Sequence, residues 1–335
     1  MISTSTEPQR DVAVPFHDSH WKTRWLIVGL AVLFLWRSTA FLDRDWLAQL
    51  PWWIWLVAFG LIPQAFLLLF PVVTRIPSGR FEIPTIRRCL IEFCVAIPVV
   101  IRAITALVAL EYLLNRFSPG DSLMPDVTQS MVDSSRPIIV YLLLVFSFTF
   151  APVAEEVFFR GFLYNAFRMR MPWILAIISQ SLIFGFVHFF GTVHSVGAFL
   201  GGILLTLIYA WRKTLVTPIL VHAGVNAASA LGVVLMMIAY ANSPILGVAG
   251  QPNDTACVIR QIVPDSAAEK AGLQVGDVVV TFNGTEIRDV PRLAATVRLY
   301  QPGDTIPVSI NRAGTLMDVK VVLQRRGDAR SEITE

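Results

Sequence analysis

Long apolar runs separated by short polar or basic breaks fill the chain from Trp25 to Tyr240, and the pattern changes after that. A helix needs about 20 apolar residues to cross a bilayer. Seven stretches meet that length and are predicted as membrane helices: 25–42, 52–74, 89–112, 137–168, 172–190, 193–210 and 215–240. The fourth is over-long, and its C-terminal part is expected to leave the hydrocarbon. Trp21, Trp25, Trp52, Trp53 and Trp173 stand near the predicted ends, where interfacial aromatics collect. Beyond the break Ala241-Asn-Ser-Pro244, short β-branched runs at 256–263, 278–282, 306–311 and 317–323 alternate with turn signals. Those signals are Asn283-Gly284, Pro302-Gly303-Asp304 and Ala313-Gly314, and short helices are expected over 266–271 and 291–299.

The pattern predicts an all-α polytopic membrane bundle of about seven transmembrane helices, followed by a small α/β domain. The divisions are a polar tail over 1–24, the membrane domain over 25–240, the small domain over 244–325 and a second polar tail over 326–335. Composition agrees. Of 335 residues, 15% are charged and 55% hydrophobic, whereas soluble domains carry about 25% charge. A wholly soluble protein and a basic-patch nucleic-acid binder are excluded, and 22 Phe with 9 Trp exclude disorder over most of the length. Cys89, Cys94 and Cys257 form no disulfide framework and are read as small buried hydrophobes. No cleavable signal peptide is expected, because the first twenty residues are polar.

Charge sets the expected orientation. Arg10, Lys22, Arg24, Arg75, Arg80, Arg87, Arg88, Arg168, Arg170, Arg212 and Lys213 fall on one side. Arg44, Arg116 and Arg136 fall on the other, with Arg37 as a possible fourth. The positive-inside rule puts the N-terminus in the cytoplasm, and seven spans then put the small domain outside.

Ionisable groups in hydrocarbon cost roughly 2.5–3.5 kcal/mol each on insertion scales, so those present need a reason. The fourth span holds Glu155, Glu156 and Arg160, the fifth ends in Phe184-Gly-Phe-Val-His188, and the seventh holds His222-Ala-Gly-Val-Asn226. Counted from the basic loops, Glu155, His188, His222 and Asn226 lie roughly 20, 27, 14 and 20 Å deep, close enough to share one layer. Glu156 and Arg160 are four apart and can pair on one face. Glu155 is turned about 100° from Glu156, so the same arginine need not neutralise it. Pro152 is expected to kink or loosen the helix beside the carboxylates.

A poorly solvated carboxylate suits a general base, a histidine can orient the activated water, and a second histidine with an amide can hold an oxyanion. The set is fit for hydrolysing a carbonyl compound within a membrane. Zinc held by Glu and two His is the competing chemistry, although no H-E-x-x-H is present. Ser179 and Ser181 lie near His188 without a mark of activation. Arg102 is read as a snorkelling or structurally paired arginine, and His194, His17 and His20 as solvated residues.

Glu155-Glu156-Val-Phe-Phe-Arg160, Phe184-x-x-x-His188 and His222-x-x-x-Asn226 resemble the three motifs of the CPBP intramembrane proteases, which include the CAAX prenyl endopeptidases and the bacteriocin-processing or Abi proteins. The resemblance covers about 137–230. It implies Glu155 as the base that activates water with His188 assisting, His222 and Asn226 as oxyanion donors, and Glu156 with Arg160 as support of the site. It implies a metal-free, glutamate-dependent peptidase with no cofactor, zinc remaining the alternative. It also leaves room for a catalytically silent scaffold or immunity-type protein.

Val263-Pro-Asp-Ser-Ala-Ala-Glu-Lys-Ala-Gly-Leu273, Val275-Gly-Asp277, Asn283-Gly284 and Pro302-Gly303 resemble a bacterial-type PDZ domain over about 244–325. That resemblance implies a carboxylate-binding loop at Ile245, Leu246, Gly247 and Val248. The implied partners are a membrane-associated protein or peptide substrate, a peptide C-terminus or unfolded tail at the PDZ domain, and the lipid bilayer, with no nucleic acid. The implied location is the bacterial inner membrane, multi-pass, with the PDZ domain extracytoplasmic.

Overall fold

The computed structural model describes residues 19–38, 54, 57, 61–74, 85–117, 137–188, 192–251 and 256–328. The readings of His17, Arg44, Trp52, Trp53, Arg75, Arg80 and Arg136 lie outside the described residues. The chain divides into two compact units, Met1–Ala230 and Leu231–Glu335.

In the first unit the apolar runs form α1 (Ser19–Ser38), α2 (Ile62–Val73), α3 (Ile86–Phe117) and α4 (Pro137–Glu156). After α4 come a π-helical segment (Val157–Tyr164) and the short α5 (Asn165–Arg168). The unit ends with α6 (Trp173–Val187), α7 (Thr192–Arg212) and α8 (Val216–Ala241). Four stretches among the described residues are long and apolar enough to cross a membrane: Ile86–Leu110, Val140–Arg168, Val193–Arg212 and Val216–Ala241. The predicted spans 25–42, 52–74 and 172–190 correspond to the shorter apolar helices Thr23–Trp36, Ile62–Val73 and Trp173–Val187. The last of these is short because Pro172 marks its start and the backbone leaves helical geometry at His188.

Helix packing rests on aromatics and on glycine. Phe66 and Phe70 of α2 each sit 6.1 Å from Phe158, and Phe70 lies edge-on to Phe162 at 5.3 Å. A side chain at Gly202 of α7 would stand 3.1 Å from Cβ of Ser181, and one at Gly185 of α6 would stand 3.0 Å from the Ser195 carbonyl. Small residues let these two helices approach closely, as lipid-embedded helices do. Many lateral side chains, such as Ile27, Leu35, Leu90, Ile101, Leu182 and Leu231, are exposed and apolar, as a lipid-facing surface requires. Arg102 is exposed on α3. The expectation that the cysteines are buried holds for Cys257 of the second unit, holds in part for the half-buried Cys89 and fails for Cys94, which is exposed on α3.

The second unit contains β1 (Pro244–Ile245), β2 (Val248–Ala249), β3 (Cys257–Val258), β4 (Gln261–Ile262), α9 (Ala267–Lys270), β5 (Val278–Phe282) and β6 (Thr285–Glu286). It continues with α10 (Val290–Val297), β7 (Thr305–Arg312), β8 (Thr315–Val322) and β9 (Gln324–Arg325). The main sheet has the order β3-β5-β7-β8, with β6 paired to β5, while β1 pairs β9 and β2 pairs β4. Alternation along β7 turns Ile306, Val308 and Ile310 inward, where they meet Val279, Phe282, Val321 and Leu323. Asn283-Gly284 closes the β5–β6 hairpin with φ of 48° and 75°, the left-handed pair a type I′ turn needs. Burial pushes the Cys257 thiol up to about 11, with Asp289 adding to it, so this cysteine is chemically quiet.

One charged clamp sits in this unit. Arg312 reaches both oxygens of Asp277, at 2.7 and 2.8 Å, and Asp277 is 1% exposed. The guanidinium holds the Asp277 carboxyl below its ordinary value. Its stabilising effect is therefore full above the unfolded value of about 3.9 and is lost as pH falls below that. Asp277→Asn should weaken amide protection of β5 and β7 in the full chain by about 30-fold at pH 7, equivalent to about 2 kcal/mol. Hydrogen-exchange mass spectrometry checks this, and the difference from wild type should shrink when exchange is run below pH 4.

Candidate active site

The site grows from the join between α4 and the π segment. Pro152 removes one amide from the ladder of α4, and two residues beyond Glu155 the helix widens into i→i+5 geometry over Val157–Tyr164. The α-helix continues through Pro152 to Glu156, and the wider geometry begins five residues beyond the proline. The carboxamide of Asn165 closes the far end, donating to the carbonyls of Arg160 at 3.0 Å and Gly161 at 2.8 Å. All eight residues of the segment are buried.

Arg160 and Glu156 form an ion pair at 2.7 Å with both side chains fully buried. The other arm of Arg160 donates to the Gly202 carbonyl at 3.2 Å, and its guanidinium lies 4.7 Å over the Phe184 ring. The same Gly202 carbonyl accepts from Thr206 at 2.7 Å and from Gln180 at 3.3 Å. His222 sets its Nδ1 2.9 Å from the same Glu156 oxygen that binds Arg160. A carboxylate oxygen there makes Nδ1 the protonated nitrogen. Nε2 of His222 then points towards Glu155, 3.8 Å from its Oε2.

His188 is the residue at which α6 ends. Its Nδ1 lies 2.8 Å from the Phe184 carbonyl, an acceptor only, so Nδ1 carries its hydrogen here too. Its Nε2 lies 3.4 Å from Oε2 of Glu155. Two imidazoles thus turn their Nε2 atoms towards one carboxylate oxygen. That oxygen is buried and has no hydrogen-bond partner among the described residues. The other oxygen of Glu155 accepts from Gln64 Nε2 at 2.9 Å. The Phe184 ring packs 4.3 Å from His188 and 5.9 Å from His222, which gives the first residue of that motif a role of its own.

The structure brings together Glu155, Glu156, Arg160, His188 and His222. Asn226 sits one turn along α8 from His222, and its amide donates to the Ser147 carbonyl of α4 at 2.8 Å. Ser179 donates to Met171 Sδ at 3.8 Å and Ser181 accepts from Gln180 at 2.7 Å; neither partner is a histidine. His194 is half-buried on α7. Among the described residues no group of three or more His, Cys, Asp or Glu is placed to hold a metal ion.

Sequence reasoning missed three buried polar residues. Gln64 is one. Glu92 of α3 is 1% exposed; it accepts from Arg212 at 2.9 and 2.8 Å and from the hydroxyl of Thr217, so it ties α3 to α7 and α8. Gln180, fully buried on α6, is the third. Each is a polar residue in an apolar run, the signal that singled out Glu155 and the histidines.

In the small domain, β1 pairs β9 through Ile245↔Gln324, and Val248 faces Ile262 in the β2–β4 pair. The carbonyl of Leu246 accepts from Ala268 at 2.8 Å and that of Gly247 from Val263 at 2.9 Å. In a trans peptide the next N–H points the opposite way, so the Gly247 and Val248 amides face away from these partners. Successive amides of that kind form an anion nest. Gly247 has φ +83°, and a Cβ there would stand 2.2 Å from Ser266, so the loop requires glycine.

Removing one partner of a buried pair strands the other charge. Arg160→Met should lower stability by about 3 kcal/mol, and adding Glu156→Gln should recover part of that loss. Unfolding of the purified chain in mixed detergent micelles measures both.

Residues 137–228 match the family model for type II CAAX prenyl endopeptidase Rce1-like proteins, and residues 244–323 match the PDZ domain model. Among curated proteins, the chain is 33% identical over 90 residues to a probable periplasmic serine endoprotease DegP-like protein of Chlamydia muridarum, covering 23% of this chain and 18% of that one. It is 41% identical over 64 residues to a probable DegP-like periplasmic serine endoprotease of Hahella chejuensis, covering 19% and 14%. The chain therefore spans less than a fifth of the length of these relatives. Among solved structures, the HtrA-type protease AlgW with decapeptide is 26% identical with a TM-score of 0.24, covering 29% of this chain and 34% of that one. The HtrA3 PDZ domain bound to a phage-derived ligand is 18% identical with a TM-score of 0.21, covering 24% and 85%. The family matches and the apolar helices support one conclusion: this is a membrane protein with an Rce1-like CAAX-protease domain over residues 137–228, followed by a PDZ domain over residues 244–323.

Proposed function

We propose that the protein is an intramembrane endopeptidase that hydrolyses a peptide bond of a membrane-associated protein or peptide with water activated by Glu155. The observation that carries this reading is the unpartnered, buried Oε2 of Glu155, with the His188 and His222 Nε2 atoms 3.4 and 3.8 Å away. A carboxylate oxygen with an open lone pair is a base for a water held between it and an imidazole. Glu155 takes the proton as the water oxygen attacks the carbonyl carbon. The resulting oxyanion accepts from His222, which Glu156 holds in place, and from the second N–H of the Asn226 amide. Glu155 or His188 then delivers the proton to the nitrogen, the C–N bond breaks, and the second proton of the water passes from the new carboxyl group to the amine, so that a carboxylate and an ammonium leave. Glu156 and Arg160 hold the imidazole and contact no reacting atom.

The PDZ domain selects or regulates substrates by receiving a peptide C-terminus or an unfolded tail. The outward Gly247 and Val248 amides support capture of a carboxylate, and the free side of Val248 supports strand addition. The protein is placed as a multi-pass protein of the bacterial inner membrane, with the N-terminus cytoplasmic and the PDZ domain extracytoplasmic; the distribution of Lys and Arg supports that orientation.

Glu155→Gln keeps size and removes the base. Comparative membrane proteomics of wild type against this variant should show one or more uncleaved membrane proteins accumulating. Cleavage of such a protein by the purified chain should fall by about 10²–10⁴-fold in the variant and should resist chelators. Cleavage that persists in Glu155→Gln contradicts the role of the base. Cleavage that stops with a chelator and returns with zinc assigns the chemistry to a metal. Identical membrane proteomes favour the silent scaffold.

A further inference from the structure

Glu155 receives a polar side chain from outside residues 137–228. Gln64 lies in the first turn of α2, just after Pro63, and is 8% exposed. Its Nε2 donates to Glu155 Oε1 at 2.9 Å across 91 residues of sequence. Chemistry fixes which way the amide faces: turned over, its oxygen would meet a carboxylate oxygen. We infer that Gln64 is the positioning residue for Glu155, anchoring Oε1 so that Oε2 is the oxygen presented to His188 and His222. This rests on the reading of Glu155 as the base.

The terminal torsion of a glutamate is broad and two-fold, so nothing within the side chain decides which oxygen faces which neighbour. Among the described residues, both histidines face Oε2, and the donor to Oε1 is Gln64. The donor is itself held in place. Phe66, Phe70, Phe158 and Phe162 interlock α2 with the π segment, two residues beyond Glu155. The choice of amide also matters. Glu156, whose role is to bind, is met by a guanidinium at 2.7 Å. Glu155 is met on Oε1 by a neutral donor, which directs the carboxylate with a weaker bond than a guanidinium makes. Gln64 Oε1 is left buried without a partner, so this site is not arranged for stability alone.

Two measurements on the full chain in liposomes test the assignment. The infrared difference between wild type and Glu155→Gln isolates the carboxylate bands of Glu155 without any substrate. In the Gln64→Leu background those bands should move, because one hydrogen bond to the carboxylate is gone, while His222 and the thermal midpoint stay as in wild type. Gln64→Met, which keeps the length of the side chain and removes the donor, serves if the leucine variant does not fold. Unmoved bands in a folded variant overturn the proposal. The second measurement uses a membrane protein that wild type cleaves and Glu155→Gln does not. With it, Gln64→Leu should lower kcat about 100-fold and leave KM unchanged; unchanged kcat overturns the proposal. If the bands move but Glu155→Gln still cleaves, Gln64 orients Glu155 as inferred and the base reading is what fails.

Discussion

A single buried carboxylate oxygen, Oε1 of Glu156, holds the catalytic region together. It accepts from Arg160 at 2.7 Å and from His222 at 2.9 Å, in a place where neither Glu156 nor Arg160 has any exposure. Moving such charges out of water is costly unless each is paired and hydrogen-bonded. The pair meets part of that condition by recruiting the Gly202 carbonyl and the Phe184 face on the arginine side and an imidazole on the glutamate side, while Arg160 Nε and Glu156 Oε2 make no hydrogen bond among the described residues. The constraint has a chemical result. Once Nδ1 of His222 is committed to Glu156, only Nε2 remains to face Glu155. One carboxylate is thus committed through Oε1 to Arg160 and His222, while its neighbour turns Oε2 towards the two Nε2 atoms.

Adjacent glutamates can be divided in this way because helix geometry separates them. Consecutive residues diverge by about 100°, so Glu156 faces Arg160 and α8 while Glu155 faces α2 and the end of α6. The π segment follows at once and sets Arg160 where it meets both Glu156 and α7. Asn165 satisfies carbonyls at the far end of that widened turn. A second polar knot, Glu92 with Arg212 and Thr217, joins α3, α7 and α8. In a region where helices gain little from hydrophobic contact with one another, such polar ties and the glycine approaches at Gly185 and Gly202 take over the work of association.

How much was legible in the sequence depended on how local each interaction was. Glu156 and Arg160 are four residues apart, so their pairing could be read directly. His188 and His222 could be placed with Glu155 because isolated ionisable groups in apolar runs rarely occur without a partner. The hairpin at Asn283-Gly284 was legible because its backbone requires residues that tolerate positive φ. Gln64 was not legible as a partner of Glu155, since its role exists only once α2 packs on the π segment. The π segment carries no mark in composition. Span length was over-read at 172–190, where the apolar run continues but the helix stops at Val187 and turns His188 into the site. Asn226, matched by spacing alone, is engaged with Ser147 in the structure.

The division of labour between the two glutamates is tested most directly by solid-state NMR of the full chain in liposomes, labelled with ¹⁵N-histidine. The account predicts that Nδ1 of His222 carries a hydrogen and shows a correlation to the Glu156 carboxyl, and that Glu156→Gln changes the Nδ1 resonance of His222 more than that of His188. An unprotonated Nδ1 on His222, or a His222 signal indifferent to Glu156→Gln, would contradict it.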